Sequence, residues 1–367
     1  YDVGVGKLVH NPGLSLTEFL DMDLVKGVFK LDVFQSMKKH VAKFFKHPSI
    51  QSLMEFPVLF LGALPEKTPA LYSLMNYADI KGGTWYPENG MYSIVQAMYD
   101  LAISLGVEFK LGEEVTSIEV VSGKAIAVHT LQSATGEKHQ YGMDVLIGAG
   151  DYHHIETNLL TPEYQSYSKN YWDTRVMAPS SLLYYVGLNK KLEGVEHHQL
   201  FFDTDFGLHG HEIYSDPKWP TRPLFYASVP SVTDPTVAPE GCENLFLLIP
   251  IAAGLEGDTE DIRDQYFEMI IKRFEERIGQ SIRSHIVYKR SFAVKEFKED
   301  YHSFRGNAYG LANTLLQTAN LKPSCKSKKV SNLYYTGQLT VPGPGVPPSL
   351  ISGEVVAKLV DQKHKVN

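Results

Sequence analysis

The C-terminal part of this 367-residue chain constrains the fold more than any other segment. Residues 332–337 form a short apolar run that ends in Gly337 and predicts a strand. A loop rich in glycine and proline follows over residues 338–348, and residues 349–359 have the pattern of a helix. A strand, a glycine loop and a helix in this order present backbone N–H groups and a positive helix end to an anionic ligand.

A second informative region begins at residue 82 with a turn-rich loop that extends to Gly90. The residues after this loop predict a helix, because apolar side chains recur on one face from Met91 to Leu105. Gly106 is the predicted C-terminal stop of this helix. Residues 107–111 then predict a short strand.

A hairpin and a buried strand are predicted next. Residues 115–121 and 125–131 have strand patterns and are joined by Ser122-Gly123-Lys124, a sequence typical of a hairpin turn. Residues 144–147 are mostly apolar and lead into Gly148-Ala149-Gly150-Asp151. This pattern predicts a buried parallel strand that ends in a glycine turn.

The glycine patterns predict only a partial nucleotide site. Gly4-Val5-Gly6 and Gly148-Ala149-Gly150 each supply the first half of a GxGxxG pattern, and the sequence contains no complete copy. A GxG by itself is more often an ordinary turn than a dinucleotide site.

Residues 152–300 have the mixed pattern of a second domain. Residues 181–188, 224–229 and 245–250 predict strands, and residues 261–278 predict a long amphipathic helix. The chain also contains 21 tyrosines and 18 phenylalanines. Aromatic residues of this number are consistent with the lining of a long apolar cavity or with an ordinary core.

The first 80 residues are predicted to be mostly helical. Apolar residues there recur at helical spacing, and the same segment contains four lysines: Phe34, Met37, Val41, Phe44 and Phe45, with Lys38, Lys39, Lys43 and Lys46. The lysines predict either a solvated basic face or contact with anionic lipid head groups. The longest apolar stretch, residues 57–64, is too short to cross a bilayer, which needs about 20 residues, but it is suited to a membrane surface.

Charge and histidine spacing argue against two classes of ligand. The net charge is −7 and no stretch is strongly basic, so nucleic acid is not predicted as a partner. Histidines occur in two groups: His153 with His154, and His197 with His198, His209, His211 and Glu212. Adjacent histidines point in different directions, so we predict no metal site and expect solvated loop histidines, although His209 and His211 can share one face of a strand.

Four segments resemble motifs of the bacterial carotenoid desaturases, FAD-dependent enzymes of the phytoene desaturase type within the amine-oxidase-like flavoproteins. Residues 334–354 resemble the closing FAD motif of this family, and residues 82–90 resemble its GG-x-W-x-P-x-x-G run. Residues 228–241 and 306–317 resemble the middle stretch and the run before the last FAD strand. The N-terminal β-α-β unit of the family has no counterpart here, so the resemblance implies a missing preceding segment on the order of 100 residues or more.

The resemblance implies an α/β fold. It predicts a partial FAD-binding Rossmann-like domain, glutathione-reductase-like and of the amine-oxidase type, with a mixed α+β substrate domain and a helical cap. In this interpretation residues 1–80 form the cap, which can face a membrane, and residues 81–151 belong to the FAD-binding domain. Residues 152–300 form the substrate-binding domain, and residues 301–367 are the C-terminal part of the FAD-binding domain.

The resemblance also implies where FAD binds. Val115 matches a valine whose backbone contacts adenine, and Gly148 and Gly150 match the turn that passes near the dinucleotide. Gly337 and Gln338 match positions beside the pyrophosphate and the ribityl chain.

The flavin end of the predicted site lies in the C-terminal loop. Gly345, Val346 and Pro347 match the turn placed against the pyrimidine end of the flavin. A helix N-terminus at this turn would stabilise the negative charge of a reduced flavin. A proline in the first helical turn costs little, because its missing N–H would be unpaired in any case.

The implied reaction removes two vicinal hydrogens from a polyene, and the substrate is phytoene or a related linear carotene. Glu88 and Asp151 are the nominated catalytic carboxylates, with a structural or surface role as the alternative for both. The other implied partners are a membrane surface and an electron acceptor, oxygen or a quinone. The expected location is the bacterial cytoplasm, peripheral to the inner membrane.

Four other functions remain open at this point. Two lie within carotenoid metabolism, a hydroxycarotenoid 3,4-desaturase and a carotene isomerase. The amine oxidases share the architecture, but they usually need an aromatic pair that faces the flavin. Lipid-binding escort proteins of prenylated GTPases share the fold without redox chemistry and would not need an intact flavin loop.

Overall fold

The computed structural model describes residues 8–15, 35–61, 64–314 and 316–363. Gly4-Val5-Gly6 and Phe34 lie outside these described residues. By their internal contacts the described residues divide into two compact units. The first unit takes its residues from Tyr1–Gly82, Lys110–Ala178 and Lys298–Asn367, and the second from Gly83–Phe109 and Pro179–Phe297.

The helices are numbered here in chain order. In the described part of the chain the α-helices are α1 (Met37–Phe44), α2 (Pro48–Glu55), α3 (Leu74–Tyr77), α4 (Tyr92–Ser104), α5 (Tyr152–His154), α6 (Lys169–Asp173), α7 (Phe206–Tyr214), α8 (Glu260–Ile278), α9 (Val294–Tyr301) and α10 (Val346–Lys363). None of the helices described combines the length and the apolar character needed to cross a bilayer.

The strands form three sheets. They are β1 (Glu113–Val121), β2 (Lys124–Gln132), β3 (Lys138–Gly142), β4 (Leu146–Gly148), β5 (Ser180–Leu188), β6 (His198–Phe201), β7 (Phe225–Ser228), β8 (Glu243–Ile251), β9 (Ile286–Phe292) and β10 (Leu333–Tyr335). The first unit holds the antiparallel sheet β1-β2-β3 and the parallel pair β4-β10. The second unit holds the antiparallel sheet β6-β7-β8-β5-β9.

The hairpin predicted between β1 and β2 is confirmed. Its turn residues Ser122 and Gly123 have φ of 50° and 75°, the left-handed conformation that a two-residue hairpin turn needs. Asn332 connects this hairpin to the parallel pair. Its amide accepts a hydrogen bond from Ala125 N–H at 2.8 Å and donates to the carbonyls of Ala125 and Asp144, both at 2.8 Å.

Helix α4 confirms the predicted helix and its stop. Gly106 has φ of 86°, its N–H donates to Ile103 O at 2.9 Å, and Val107 N–H donates to Ala102 O at 3.0 Å. These two bonds form a Schellman motif, which satisfies carbonyls at the helix end. The strand predicted for residues 107–111 is wrong, because this segment has no ladder partner in the described chain and forms an irregular connection.

The core of the second unit lies between its sheet and helix α8. Strand β5 pairs with β8 on one side and with β9 on the other, and α8 buries Phe267, Ile270 and Phe274 in this core. The three predicted strands correspond to β5, β7 and β8, and the predicted helix corresponds to α8. Strands β6 and β9 and helix α7 were not predicted.

The position of His209 shows that the prediction of solvated loop histidines is wrong for this residue. It lies in helix α7, not on a strand, and is buried. Leu224 N–H donates to His209 Nδ1 at 3.1 Å, and His209 Nε2 contacts Pro250 O at 2.9 Å. Burial lowers the pKa of His209 to about 4, so this neutral side chain joins α7 to the neighbouring chain segments.

The C-terminal strand, loop and helix are confirmed in their predicted order. Strand β10 is buried throughout, and α10 begins at Val346, slightly earlier than predicted. Pro347 and Pro348 therefore lie in the first turn of the helix, where a missing N–H is tolerated.

The two units cut across the predicted domain boundaries. The prediction keeps residues 81–151 together, whereas the contact division groups Gly83–Phe109 with Pro179–Phe297. Residues 152–178 belong to the first unit. The assignment of FAD-binding, substrate and cap roles to the four predicted segments stays a prediction.

Candidate active site

The parallel strands β4 and β10 end at one edge of their sheet. Gly148 pairs with Tyr335, and the next residue, Thr336, donates its N–H to Gly148 O at 3.0 Å. Both strands therefore deliver a glycine turn, Gly148–Gly150 and Gly337, to the same edge. Ligands of parallel α/β sheets bind at this carboxyl edge.

Close packing explains why glycine follows β4. A methyl group on Gly148 would lie 2.8 Å from Ile155 Cδ1 and 3.4 Å from Tyr335 Cδ1. The first distance is too short for an alanine side chain without movement of Ile155. The absence of a side chain thus allows the turn to lie directly against Ile155, the residue after α5, and against β10.

A cavity of about 420 Å³ lies beside this edge. Val115, Gly148, Gly150 and Asp151, which the sequence predicted around the cofactor or nominated for catalysis, all line it. The remaining walls are mainly apolar, with Ile118, Val128, Ile155 and Leu159 among them. Its volume lies in the range of small-molecule sites, which is roughly 300–1,000 Å³.

Asp151 supports the turn. Its Oδ1 accepts a hydrogen bond from His154 N–H at 2.9 Å, and its Oδ2 accepts one from Phe304 N–H at 3.0 Å. Burial raises the pKa of Asp151 to about 6, although the bonds from Phe304 and His154 favour the ionised form. The carboxylate caps α5 and ties it to residues 303–306, which is the structural role that the sequence left open.

Two stacked histidines form part of the same cavity wall. The rings of His154 and His302 are 4.1 Å apart and nearly parallel, at 8°. Burial and the neighbouring His302 lower the pKa of His154. Glu114 Oε1 lies 3.5 Å from His302 Nε2.

A buried aromatic cluster packs against the end of β10. Tyr152 stacks on Tyr335 at 3.8 Å, and the ring of Trp172 packs against Tyr152 at 5.8 Å. Glu156 is fully buried and accepts hydrogen bonds from the Tyr335 hydroxyl and from the N–H groups of Ser166 and Tyr167. The burial of Glu156 could not be predicted from the sequence, because an isolated glutamate is usually exposed.

The second glycine turn is held by side-chain bonds. Ser352 Oγ accepts a hydrogen bond from Gly337 N–H at 3.1 Å, and Gln338 Nε2 donates to Asn307 Oδ1 at 3.1 Å. The backbone of Gly310 approaches so closely that a methyl group there would lie 2.5 Å from Gln338 O. Gly337 and Gln338 thus occupy a fixed turn next to β10.

The C-terminal loop fits an anionic cofactor. Gly345 has φ of 117°, and Ser349 N–H donates to Gly345 O at 2.9 Å as α10 begins. Gly345, Val346 and Pro347 therefore form the N-terminal turn of an 18-residue helix, whose dipole is positive there. Close by, the buried amine of Lys322 has no hydrogen-bond partner within the described residues.

Glu88 lies elsewhere, in the second unit. It lines a separate polar cavity of about 640 Å³ with Tyr86, His197 and Asp234 among its neighbours. Asp234 Oδ2 accepts a hydrogen bond from Asn89 N–H at 2.9 Å, which fixes the loop that carries Glu88. A catalytic role for Glu88 or Asp151 stays a prediction.

Comparison with known proteins identifies the family. The model of the flavin-containing amine oxidoreductases matches residues 19–361. A carotenoid 3,4-desaturase of Haloarcula japonica is 38% identical over 359 residues, which cover 98% of this chain and 71% of that protein. A zeta-carotene-forming phytoene desaturase of Myxococcus xanthus is 27% identical over 364 residues, 98% of this chain and 68% of that protein.

A solved structure supports the same fold. An oxidoreductase of Methanosarcina mazei superimposes with a TM-score of 0.60 at 16% identity, over 94% of this chain and 75% of that chain. The predicted α/β flavoprotein fold, the FAD cofactor, the oxidoreductase class and the resemblance to carotenoid desaturases are thus confirmed. The chain belongs to the flavin-containing amine oxidoreductase family, and its relatives include carotenoid desaturases.

Proposed function

We propose that the complete protein desaturates a linear carotenoid, phytoene or a related carotene, with FAD as its cofactor. The observation that carries this proposal is the edge of the β4-β10 pair, where both strands end in a glycine turn and where Val115, Gly148 and Gly150 line a cavity. The relatives named above act on carotenoids by name. Residues 334–354 of this chain resemble the closing FAD motif of the carotenoid desaturases.

The chemistry of the bound cofactor limits what the protein must do. Bound FAD would accept a hydride from one substrate carbon while the adjacent carbon loses a proton, so two C–H bonds break and one C=C bond forms. The chain must then hold the dinucleotide, and we assign this task to Val115, Gly148, Gly150, Gly337 and Gln338. Gly345, Val346 and Pro347 would hold the flavin end at the start of α10.

We assign Asp151 a positioning role in the reaction. Both of its oxygens already accept backbone hydrogen bonds, from His154 and from Phe304. Asp151→Asn should therefore lower FAD affinity through a loosened turn, and the variant should keep its rate per bound flavin.

A second candidate function is a terminal 3,4-desaturation. The specific observation in its favour is the 38% identity to the Haloarcula japonica enzyme, compared with 27% to the phytoene desaturase of Myxococcus xanthus. A carotene isomerase and a lipid-escort protein are not favoured, because the relatives reported above are desaturases.

We also propose that the protein docks on a membrane surface, because a carotenoid is dissolved in the bilayer. Helix α1 presents the exposed side chains of Lys39, Lys43 and Phe44, and α2 presents those of Ile50 and Leu53. Exposed basic and apolar side chains on two helices that pack together suit anionic lipid. Phe44→Ser should weaken sedimentation with anionic vesicles, and Phe109→Ser serves as a matched control in another segment.

We also propose that oxygen or a quinone reoxidises the flavin.

An absorption assay tests the proposed function. Full-length protein, FAD and liposomes that contain phytoene are incubated, and a parallel sample contains an acyclic carotenoid with a hydroxylated end group. New conjugated-polyene bands with phytoene support the first candidate, and bands only with the hydroxylated substrate support the second. Bound flavin without new bands in either sample would contradict both.

Substitution of the C-terminal loop tests the flavin assignment. Gly345 has φ of 117°, and a methyl group there would lie 3.2 Å from Pro348 Cδ, so Gly345→Val should distort the start of α10. We expect a loss of most bound FAD, measured from the flavin absorbance of purified protein. Gly194→Val, at a left-handed glycine with open space around it in the second unit, is the control. Equal flavin content in both variants would contradict the assignment.

A further inference from the structure

The amine of Lys322 has no assigned role in the site described above. The side chain is 5% exposed, and its Nζ makes no hydrogen bond within the described part of the chain. Burial lowers the pKa of this ammonium to about 8. A buried ammonium without a partner is costly, and such groups are normally paired with an anion or a hydrogen-bond acceptor.

The position of the amine is defined by the glycine-rich loop. A methyl group placed on Gly343 would lie 3.5 Å from Lys322 Nζ and 3.8 Å from Asn313 Oδ1. Gly343 has φ of 136° and bears no side chain that could cover the amine. The segment that carries Lys322 is fixed to this loop, because Thr340 Oγ1 donates to Pro323 O at 2.6 Å.

Two positive features therefore meet at one loop. Gly343 precedes Gly345 by two residues, and Val346 begins the 18-residue helix α10. The N-terminus of a helix of this length attracts anions, and the amine of Lys322 lies beside the loop that leads into this helix. Both features point to a ligand that carries or gains negative charge at the loop.

We propose that Lys322 contacts the pyrimidine ring of bound FAD and stabilises the negative charge that this ring gains on reduction. The inference rests on the proposed function for the presence of FAD, and on the assignment of Gly345 to the flavin end. A cation at the N1 and C2=O side of a flavin favours the reduced form, because the charge there increases on reduction. Lys322 would thus raise the midpoint potential of the enzyme.

The midpoint potential of the FAD-loaded, full-length protein is the test. Lys322→Met keeps the length and volume of the side chain and removes its charge. We expect a shift of at least about tenfold toward the oxidised form, which equals about 30 mV for a two-electron couple. Lys322→Arg should keep most of the wild-type potential. Lys329→Met, which removes an exposed charge seven residues later, should leave the potential unchanged.

Stability measurements keep the test valid if the variants fold poorly. In FAD-free protein Lys322→Met should be as stable as the wild type or more stable, because the methionine replaces an unpaired buried charge. Added FAD should raise the melting temperature of the wild type more than that of this variant. An FAD-free variant that is strongly destabilised would contradict an unpaired amine and overturn the proposal.

The outcomes also separate this inference from the proposed function. The potential is measured by chemical reduction without carotenoid, so it does not depend on the substrate. A lowered potential in Lys322→Met without polyene formation by the wild type would keep the Lys322 contact and reject the desaturase. An unchanged potential with weaker FAD binding would place the amine at the phosphates and overturn the ring contact.

Discussion

Helices α4 and α8 belong to the same unit, and the sequence predicted both from apolar periodicity, but they are covered differently. Helix α8 buries Tyr266, Phe267, Ile270 and Phe274 against the five-stranded sheet. Helix α4 buries none of its residues in the described structure, and Leu101 on its apolar face is 60% exposed. The relatives extend beyond this chain, which covers 71% and 68% of their lengths.

The difference in burial between α4 and α8 shows how much a periodic apolar pattern predicts. Apolar spacing and a terminal glycine describe one helix at a time, and α4 forms with its Schellman motif although its apolar face is largely exposed among the described residues. The pattern does not identify the surface that covers the helix. That surface can come from a segment distant in sequence, as the sheet does for α8.

The largest expected effect is in the covered helix. Phe274 is 0% exposed, so Phe274→Ala should lower the free energy of unfolding by about 3–5 kcal/mol through lost burial and a cavity. Urea unfolding followed by circular dichroism measures the change. Phe109→Ala is the control, since Phe109 is exposed in the segment after α4, and it should cost less than about 1 kcal/mol. Equal losses would break the contrast between the two regions.

A smaller effect is expected from the ion cluster at the start of α8. Arg263 donates to both oxygens of Asp258, at 2.7 and 2.8 Å, and to both oxygens of Glu296, at 2.9 and 2.7 Å. Burial raises the pKa of each carboxyl, but the bonds from Arg263 outweigh it and hold both below their usual values.

The sign of the pH dependence follows from these lowered values. A carboxyl whose pKa is lower in the folded state stabilises the fold above its unfolded pKa, near 4, and this stability is lost as the pH falls. Glu296→Gln should cost about 1.5–3 kcal/mol at pH 7 and make the acid loss shallower. Asp264→Asn, which breaks the exposed pair with Lys289, should cost less than about 1 kcal/mol. An unchanged acid profile in Glu296→Gln would contradict this role.

The strands that the sequence missed are the two edges of the sheet. The order is β6-β7-β8-β5-β9, and the predicted strands β5, β7 and β8 are the interior ones. Each interior strand pairs with a neighbouring strand on both sides, and its sequence is a mostly apolar run. Strand β9 contains Lys289 and Arg290, charges that are typical of edge strands and that obscure the pattern.

In the candidate site, too, local sequence patterns predict backbone turns but not which side chains are buried. The turns at Gly337 and Gly345 were predictable, because glycine at the end of a strand or the start of a helix indicates a turn. Their φ values of 113° and 117° lie in the region that favours glycine. The burial of Lys322 and Glu156 was not, since each lies in a polar local sequence and is covered by residues distant in the chain. Local patterns therefore identified the backbone of the site, and only the fold reveals its buried charges.

A hydrogen bond in the covered region sharpens the comparison further. The Tyr184 hydroxyl donates to Arg263 O at 2.5 Å and joins β5 to α8. Tyr184→Phe should lower the free energy of unfolding by about 0.5–1.5 kcal/mol, because the hydroxyl is lost and the helix still uses the carbonyl. Tyr288→Phe, at an exposed tyrosine on β9, should have no measurable effect in the same urea titration. A loss above 3 kcal/mol in Tyr184→Phe would indicate a repacked core.

The smallest effect is expected on α4. Leu101→Gln replaces an exposed leucine with a good helix former, so the free energy of unfolding of this chain should change by less than about 0.5 kcal/mol. Ile270→Gln, the same kind of change on the buried face of α8, should cost several-fold more, because it buries an amide without a partner. Urea titrations of both variants measure the two losses. A loss of about 2 kcal/mol or more for Leu101→Gln would show that the apolar face of α4 is covered in solution. The exposed face would then be an interface within the protein, and the contrast with α8 would disappear.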